Sequence, residues 1–185
     1  MDPSPPRPGA REDRTSPPGV GGKAIQAVKV EGSRSVPMDV RTTRFGVIQI
    51  ADDRVITFPK GLLGFSECKR YCLLEPGQDA CFFWLQSLDD PALAFVITDP
   101  MIFVPDYSVP IRPEQMRELN LDKLEDAQVF CIVNKVDQQL TGNFQGPLVI
   151  NTINKIGEQM VVAEKRWTTR HPLMKVAQPA QAMSA

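Results

Sequence analysis

From residue 38 onward the apolar residues come in short runs cut by turn residues, and that rhythm admits few architectures. The stretches Arg44–Ile50, Arg54–Phe58, Lys69–Leu74, Cys81–Ser87 and Leu93–Thr98 are rich in β-branched and aromatic side chains, which suit a pleated surface. Asp52-Asp53, Pro76-Gly77, Asp89-Asp90-Pro91 and Asp99-Pro100 separate them with residues that make local turns. Runs this short, recurring every 10–15 residues or roughly so, predict a sandwich or barrel rather than βαβ units. The first two runs are expected to pair as a hairpin leading into Phe58–Phe65. Pro113–Leu119 carries proline at a first helical position and an acid early, which predicts one short helix. Asp122–Asp126 is expected as a polar turn. Ala127–Val136 is expected as a long strand buried on both faces. Asn143–Asn151 and Gln159–Glu164 are expected as two further strands around a turn at Asn154–Gly157.

Composition divides the chain. Residues 1–37 hold seven of the 17 prolines and five of the 12 glycines and almost no large apolar side chains. Such a segment cannot bury enough surface to offset its ordering entropy, so it is expected to be disordered. Residues 176–185 are expected as a flexible tail, leaving a single folded domain over 38–175. The extension carries six basic and four acidic residues; the remainder carries 15 basic and 18 acidic. A mildly acidic domain argues against nucleic acid as the main ligand, because phosphate binding needs clustered positive charge. The sequence shows no apolar leader and no 18-residue apolar run, so neither a signal peptide nor a membrane helix is expected, and the cytoplasm is the default compartment.

Catalytic chemistry is hard to assemble. Cys68, Cys72, Cys81 and Cys131 lack CxxC spacing, so no metal site or disulfide framework is expected, and Cys72 and Cys131 sit in apolar runs as core residues. His171 is the only histidine and is expected at the surface near the end of the chain. The paired aspartates stand at turn signals, which explains them without acid–base work. Lys165–His171 combines basic residues with Trp167. It fits either a base-stacking patch or, better, an exposed edge strand guarded by charge. In Phe82-Phe83-Trp84 alternate residues face opposite ways, and burial on both faces is the expected state.

The most distinctive stretch is Phe58-Pro-Lys-Gly-Leu-Leu-Gly-Phe65. Gly61 and Gly64 mark a tight fold and Pro59 pushes Phe58 toward extended backbone. The loop holds no nucleophile and no metal ligand, so its shape points to binding. Taken with Phe45-Gly46, Trp84-Leu-Gln-Ser87, Ala94-Phe95, Asp99-Pro100, Asp106-Tyr107, Asn143-x-x-x-Pro147-Leu-Val-Ile-Asn151 and His171-Pro172, it resembles the FliW family of flagellar assembly factors over residues 40–174 or thereabouts.

That resemblance implies an all-β, mainly antiparallel fold: a small β-barrel-like domain with one short helix, non-enzymatic, without cofactor or metal, and cytoplasmic. It also implies two protein partners, flagellin and the translational regulator CsrA. The family member holds CsrA away from flagellin mRNA until unassembled flagellin competes for it. Carried onto this chain, the partner-binding candidates are Phe58, Pro59, Gly61, Leu62, Leu63, Gly64 and Phe65, with Asn143, Pro147 and Asn151. Leu62, Leu63 and Phe65 would line a groove, or the motif would close one end of the barrel. On the groove reading, aspartate at Leu62 is expected to abolish binding without loss of stability. Two departures stand out: the extension before Met38, readable as a tail or as a misplaced start, and Gly146 where alanine is expected. A direct RNA-binding barrel and a flagellin chaperone without CsrA binding are the alternatives.

Overall fold

A computed structural model of the chain describes residues 26–27, 37–77 and 80–176. Among them are twelve strands and one α-helix. The strands are β1 (Gln26–Ala27), β2 (Met38–Thr42), β3 (Gly46–Ile50), β4 (Val55–Thr57), β5 (Arg70–Glu75), β6 (Phe83–Ser87), β7 (Ala94–Thr98), β8 (Ala127–Val136), β9 (Gln139–Gly142), β10 (Leu148–Asn151), β11 (Gly157–Gln159) and β12 (His171–Lys175). The helix α1 spans Pro113–Glu118.

The main sheet runs β4-β5-β6-β7-β8-β10-β11, antiparallel throughout. Its two ends meet: Thr57, the last residue of β4, forms a parallel bridge with Ile156, and the Thr57 N–H donates to the Lys155 carbonyl at 2.8 Å. The sheet thus curls into a barrel-like ring, as the resemblance implied. β9 continues along the β8 edge that β10 leaves, and β12 pairs outside it.

The strands are apolar on both faces because the ring is covered inside and out. Inward, Ile56, Tyr71, Leu85, Ile97, Phe130, Leu148 and Ile150 form the central core. Outward, Cys72 and Leu74 of β5 lie under the β2–β3 ribbon with Ile50. Val149 of β10 lies under α1 and its following turn with Leu119 and Leu121. Cys131 of β8 lies under an aromatic cluster of Tyr107, Phe144 and Trp167. A strand between two apolar layers shows a continuous rather than an alternating pattern. Each large side chain so buried contributes about 1.5–3 kcal/mol. Phe83 packs inward against Phe130, whereas Trp84 packs outward against Phe45; both are half-buried, so the burial expected on both faces of that run is met only in part.

Several expected pairings are corrected. Gly46–Ile50 pairs with Met38–Thr42, not with Val55–Thr57, which pairs instead with Arg70–Cys72. Asp52-Asp53 forms a 3₁₀ turn that turns the chain from the ribbon into the barrel instead of closing a hairpin. Asn143–Pro147 is a loop, because the Asn143 Oδ1 accepts the Gly146 N–H at 2.9 Å and Pro147 has no N–H for a ladder. Of the expected strand Gln159–Glu164 only Gln159 is strand, as the last residue of β11. Lys165–Arg170 is turn rather than edge strand, and the strand of this region is His171–Lys175. The helix stands where expected, with Pro113 first and the Gln115 Oε1 accepting the Arg112 N–H at 2.9 Å. Of residues 1–37, Gln26 and Ala27 pair with Glu75 and Leu74. The expectations for the rest of the extension before Pro37, and for the tail after Val176, lie outside the described residues.

Candidate functional site

The Phe58–Phe65 loop is the clasp of the ring. It leaves β4 at the point where the two sheet ends meet and reaches across to β11 three times. The ring of Phe58, fully buried, covers Gly157, where an added Cβ would come within 2.6 Å of Phe58 Cε1. The Lys60 Nζ donates to Glu158 Oε1 at 3.0 Å. The Leu63 N–H donates to Gln159 Oε1 at 2.8 Å. Within the loop the Phe65 N–H returns to the Leu62 carbonyl at 2.8 Å. Gly61 has φ +70°, and a Cβ there would lie 2.7 Å from Ser66 Cα, so both the backbone conformation and the space demand glycine. Gly64 has φ +84° and open space around it.

This geometry sorts the candidate residues. Phe58 and Leu62, 0% and 2% exposed, belong to the central core. Leu62 therefore cannot touch a partner, and the expectation that an aspartate there would spare stability is corrected: it would bury a carboxylate without a partner. Leu63 is 66% exposed and Phe65 39%. Phe65 rests edge-on against Phe95 of β7, with ring centroids 5.1 Å apart, which fixes its orientation while leaving a face open. Pro59 is exposed beside them.

Asn143 and Pro147 join this site indirectly. The Gln159 side chain that accepts the Leu63 N–H also donates from Nε2 to the Gly146 carbonyl at 3.1 Å, tying the Asn143–Pro147 turn to the clasp. Alanine at Gly146 would set its Cβ 2.7 Å from Asn143 Nδ2, so the glycine matches the tight turn of this chain. Asn151 stands apart. Its buried side chain donates to the carbonyls of Leu119 and Asn120 at 3.0 and 2.8 Å and accepts the Ile153 N–H at 2.9 Å, which anchors the end of α1. It is a scaffold residue.

Beside the apolar tip lies an acidic notch that sequence reasoning missed. Lys60 pairs with Glu118 of α1 at 2.7 Å as well as with Glu158, and with Pro59, Leu119, Ile156 and Gly157 they line a cavity of about 170 Å³. The hydrogen bonds it donates to Glu118, then to Glu158, hold the Lys60 ammonium above its ordinary pKa, and Lys60 in turn holds the Glu118 carboxyl below its own. The Oε2 of Glu158 is buried with no hydrogen-bond partner. Lys60 lies inside the motif, but Glu118 and Glu158 come from 58 and 98 residues away, a distance at which no local pattern speaks.

The Lys165–His171 segment is corrected as a stacking patch. Trp167 is 3% exposed, with Tyr107 at 4.9 Å and His171 at 5.4 Å between ring centroids, so its faces are taken. His171, expected at the surface, stacks on Phe144 at 4.5 Å. Arg166 pairs with Asp106 at 2.8 Å and lies over the Trp167 ring. Cys72 and Cys131 are buried, as expected, and burial pushes each thiol up to about 12. Among the described residues no helix is long and apolar enough to cross a membrane.

Comparison with known proteins agrees with this architecture. The FliW protein family matches residues 39–173. The flagellar assembly factor FliW of Treponema denticola is 37% identical over 139 residues, covering 74% of this chain and 94% of its own. That of Natranaerobius thermophilus is 38% identical over 139 residues, covering 74% and 92%. A crystal structure of the flagellar assembly factor FliW superposes with a TM-score of 0.68 at 29% identity, covering 74% of this chain and 97% of the other. The chain belongs to the FliW family of flagellar assembly factors.

Proposed function

We propose that this protein binds flagellin and the translational regulator CsrA by turns, and that it relieves CsrA repression of flagellin mRNA while flagellin is scarce. The observation that carries this reading is the clasp tip, where Leu63 and Phe65 stand exposed on a loop held from both sides by backbone and side-chain bonds. Exposed apolar side chains on a rigid frame are suited to a partner, since ordering costs little on binding. An amphipathic helix such as those at flagellin's ends lays its apolar face on such a surface. The acidic notch of Glu118 and Glu158 beside the tip, in a domain of net negative charge, complements a basic RNA-binding regulator.

Competition follows from mass action: whichever partner has the higher ratio of concentration to Kd holds the protein. The test is calorimetric titration of the chain with the same organism's CsrA, then with its flagellin. Binding of CsrA that disappears on addition of flagellin supports the switch. Binding of flagellin alone would reduce the role to a chaperone, and binding of neither would overturn the reading.

A further inference from the structure

The other end of β4 opens on a second cavity that the partner reading does not use. Arg54 and Ile56 approach it from the start of β4 and Leu73 from β5. Gln128 and Phe130 of β8, Ile150 of β10, and Thr152 and Lys155 beyond β10 complete a space of about 170 Å³. β4 and β10 flank the joint at which the ring closes, and Ile56, Phe130 and Ile150 also belong to the inward-facing core, so the cavity is a mouth of the barrel-like ring. Barrel mouths are recurrent ligand sites.

Its chemistry is specific. The floor is aliphatic and aromatic, from Ile56, Leu73, Phe130 and Ile150. The Thr152 hydroxyl is committed to the Asp126 carbonyl, and the Gln128 amide donates to Asp99 and to the Val129 carbonyl. The unspent polar capacity belongs to two cations. Among the described residues, neither Arg54 nor Lys155 forms an ion pair, not even with the adjoining Asp53, and the Lys155 Nζ has one bond, to the Thr152 carbonyl. Two unneutralised cations over an apolar floor call for an anion with an apolar body, and the guanidinium fork matches a carboxylate. The space is smaller than the range of about 300–1,000 Å³ that drug-sized ligands fill, so the body is one short aliphatic chain.

We propose that this mouth binds a short aliphatic carboxylate, with the chain among Ile56, Phe130 and Ile150 and the carboxylate between Arg54 and Lys155. The same chemistry is offered by a free small acid and by the C-terminal residue of a protein. The experiment is an NMR titration of the ¹⁵N-labelled full chain with hexanoate, hexanol and hexylamine. Saturable shifts at residues 54–56, 73, 128–130 and 150–155 are expected with hexanoate, at about tenfold or more tighter binding than with hexylamine, one decade being 1.4 kcal/mol. The double substitution Arg54→Gln with Lys155→Gln should erase that preference. Equal response to all three probes, shifts elsewhere, or no response to hexanoate would overturn the proposal; these wild-type outcomes stand even if the variant does not fold. A peptide ending in leucine, compared with its C-terminal amide, separates the sources. Tighter binding of the acid than of hexanoate assigns a chain end, weaker binding assigns a free acid, and equal binding of acid and amide overturns the carboxylate requirement. The site lies across β4 from Leu63, so its failure leaves the partner reading untouched.

Discussion

The ring of Phe58 occupies the space that a side chain at residue 157 would need: a Cβ on Gly157 would come within 2.6 Å of Cε1 and 2.7 Å of Cζ. The first residue of β11 is thus shaped by the first residue of the clasp, 99 positions earlier in the chain. Gly157→Ala must push a fully buried aromatic off its seat, and Phe58 in turn sits edge-on against Tyr71 at 5.5 Å. Overpacking of this kind costs about 1–3 kcal/mol. A urea melt should show a lower midpoint with an unchanged slope.

Leu62 and Leu63 are neighbours with opposite roles, and substitution should separate them. Leu62→Ala empties part of the core and should cost about 2–5 kcal/mol. Leu63→Asp, at a site 66% exposed, should change stability by no more than about 0.5 kcal/mol. Its effect should fall on partner affinity, weakened about tenfold or more, that is by at least about 1.4 kcal/mol. Melting and calorimetry on the two variants check this. Loss of folding in Leu63→Asp, or full binding by it, would sink the assignment of the tip.

Asn151→Ala removes the acceptor of the Ile153 N–H and the donor to the carbonyls of Leu119 and Asn120, all at or below 3.0 Å. Buried groups left without partners cost about 1–3 kcal/mol. Faster amide exchange should appear at Ile153 and around the end of α1, while Leu63 and Phe65 keep their shifts.

Alkaline pH should destabilise the domain through its buried thiols. Burial lifts Cys72 and Cys131 from 9.0 to about 12, so the folded state keeps protons that the unfolded state releases. Stability is then flat below about pH 9 and falls between about 9 and 12, by about 1.4 kcal/mol per pH unit for each thiol. Melts of wild type and of Cys72→Ala with Cys131→Ala over this window should differ in slope, with the variant flatter. In the native protein at neutral pH a thiol reagent should label Cys68 and Cys81, which are partly exposed, well before the other two.

The strands that sequence reading placed well are those whose residues alone decide the matter. Tyr71-Cys-Leu-Leu74 is apolar enough to require cover on both faces and received it, whereas Ala127–Val136, expected to be buried on both faces, is covered only as far as Val133 and leaves Asn134 and Lys135 exposed. The pairing of Gly46–Ile50 was not legible, because Asp52-Asp53 serves a hairpin turn and a 3₁₀ turn equally well, and the true partner, Met38–Thr42, is polar at every second position. Gln139–Gly142 escaped notice for a similar reason: two polar residues and a glycine in four make no strand signal, yet β8 dictates the pairing. The aromatic cluster was scattered as Tyr107, Phe144, Trp167 and His171, and only folding brings them together. At the candidate site Pro59 and the loop's two glycines announced a shaped turn. Which leucine faced outward depended on Gln159 and Gly157, and those belong to the far side of the ring.

Every other junction in the ring is a ladder of antiparallel pairs, whereas Thr57 and Ile156 meet in one parallel bridge. Local opening begins where the fewest contacts must break. The tip residues Leu63 and Phe65 are slung from that joint, since the Leu63 N–H is moored to β11 and the chain behind it to β4. A molecule that grips the tip must therefore also tighten the joint, and part of its affinity is spent against the ring's own breathing. How tightly a partner is held becomes a property of the circumference, so a substitution anywhere along the joint can retune affinity without touching the surface that does the holding.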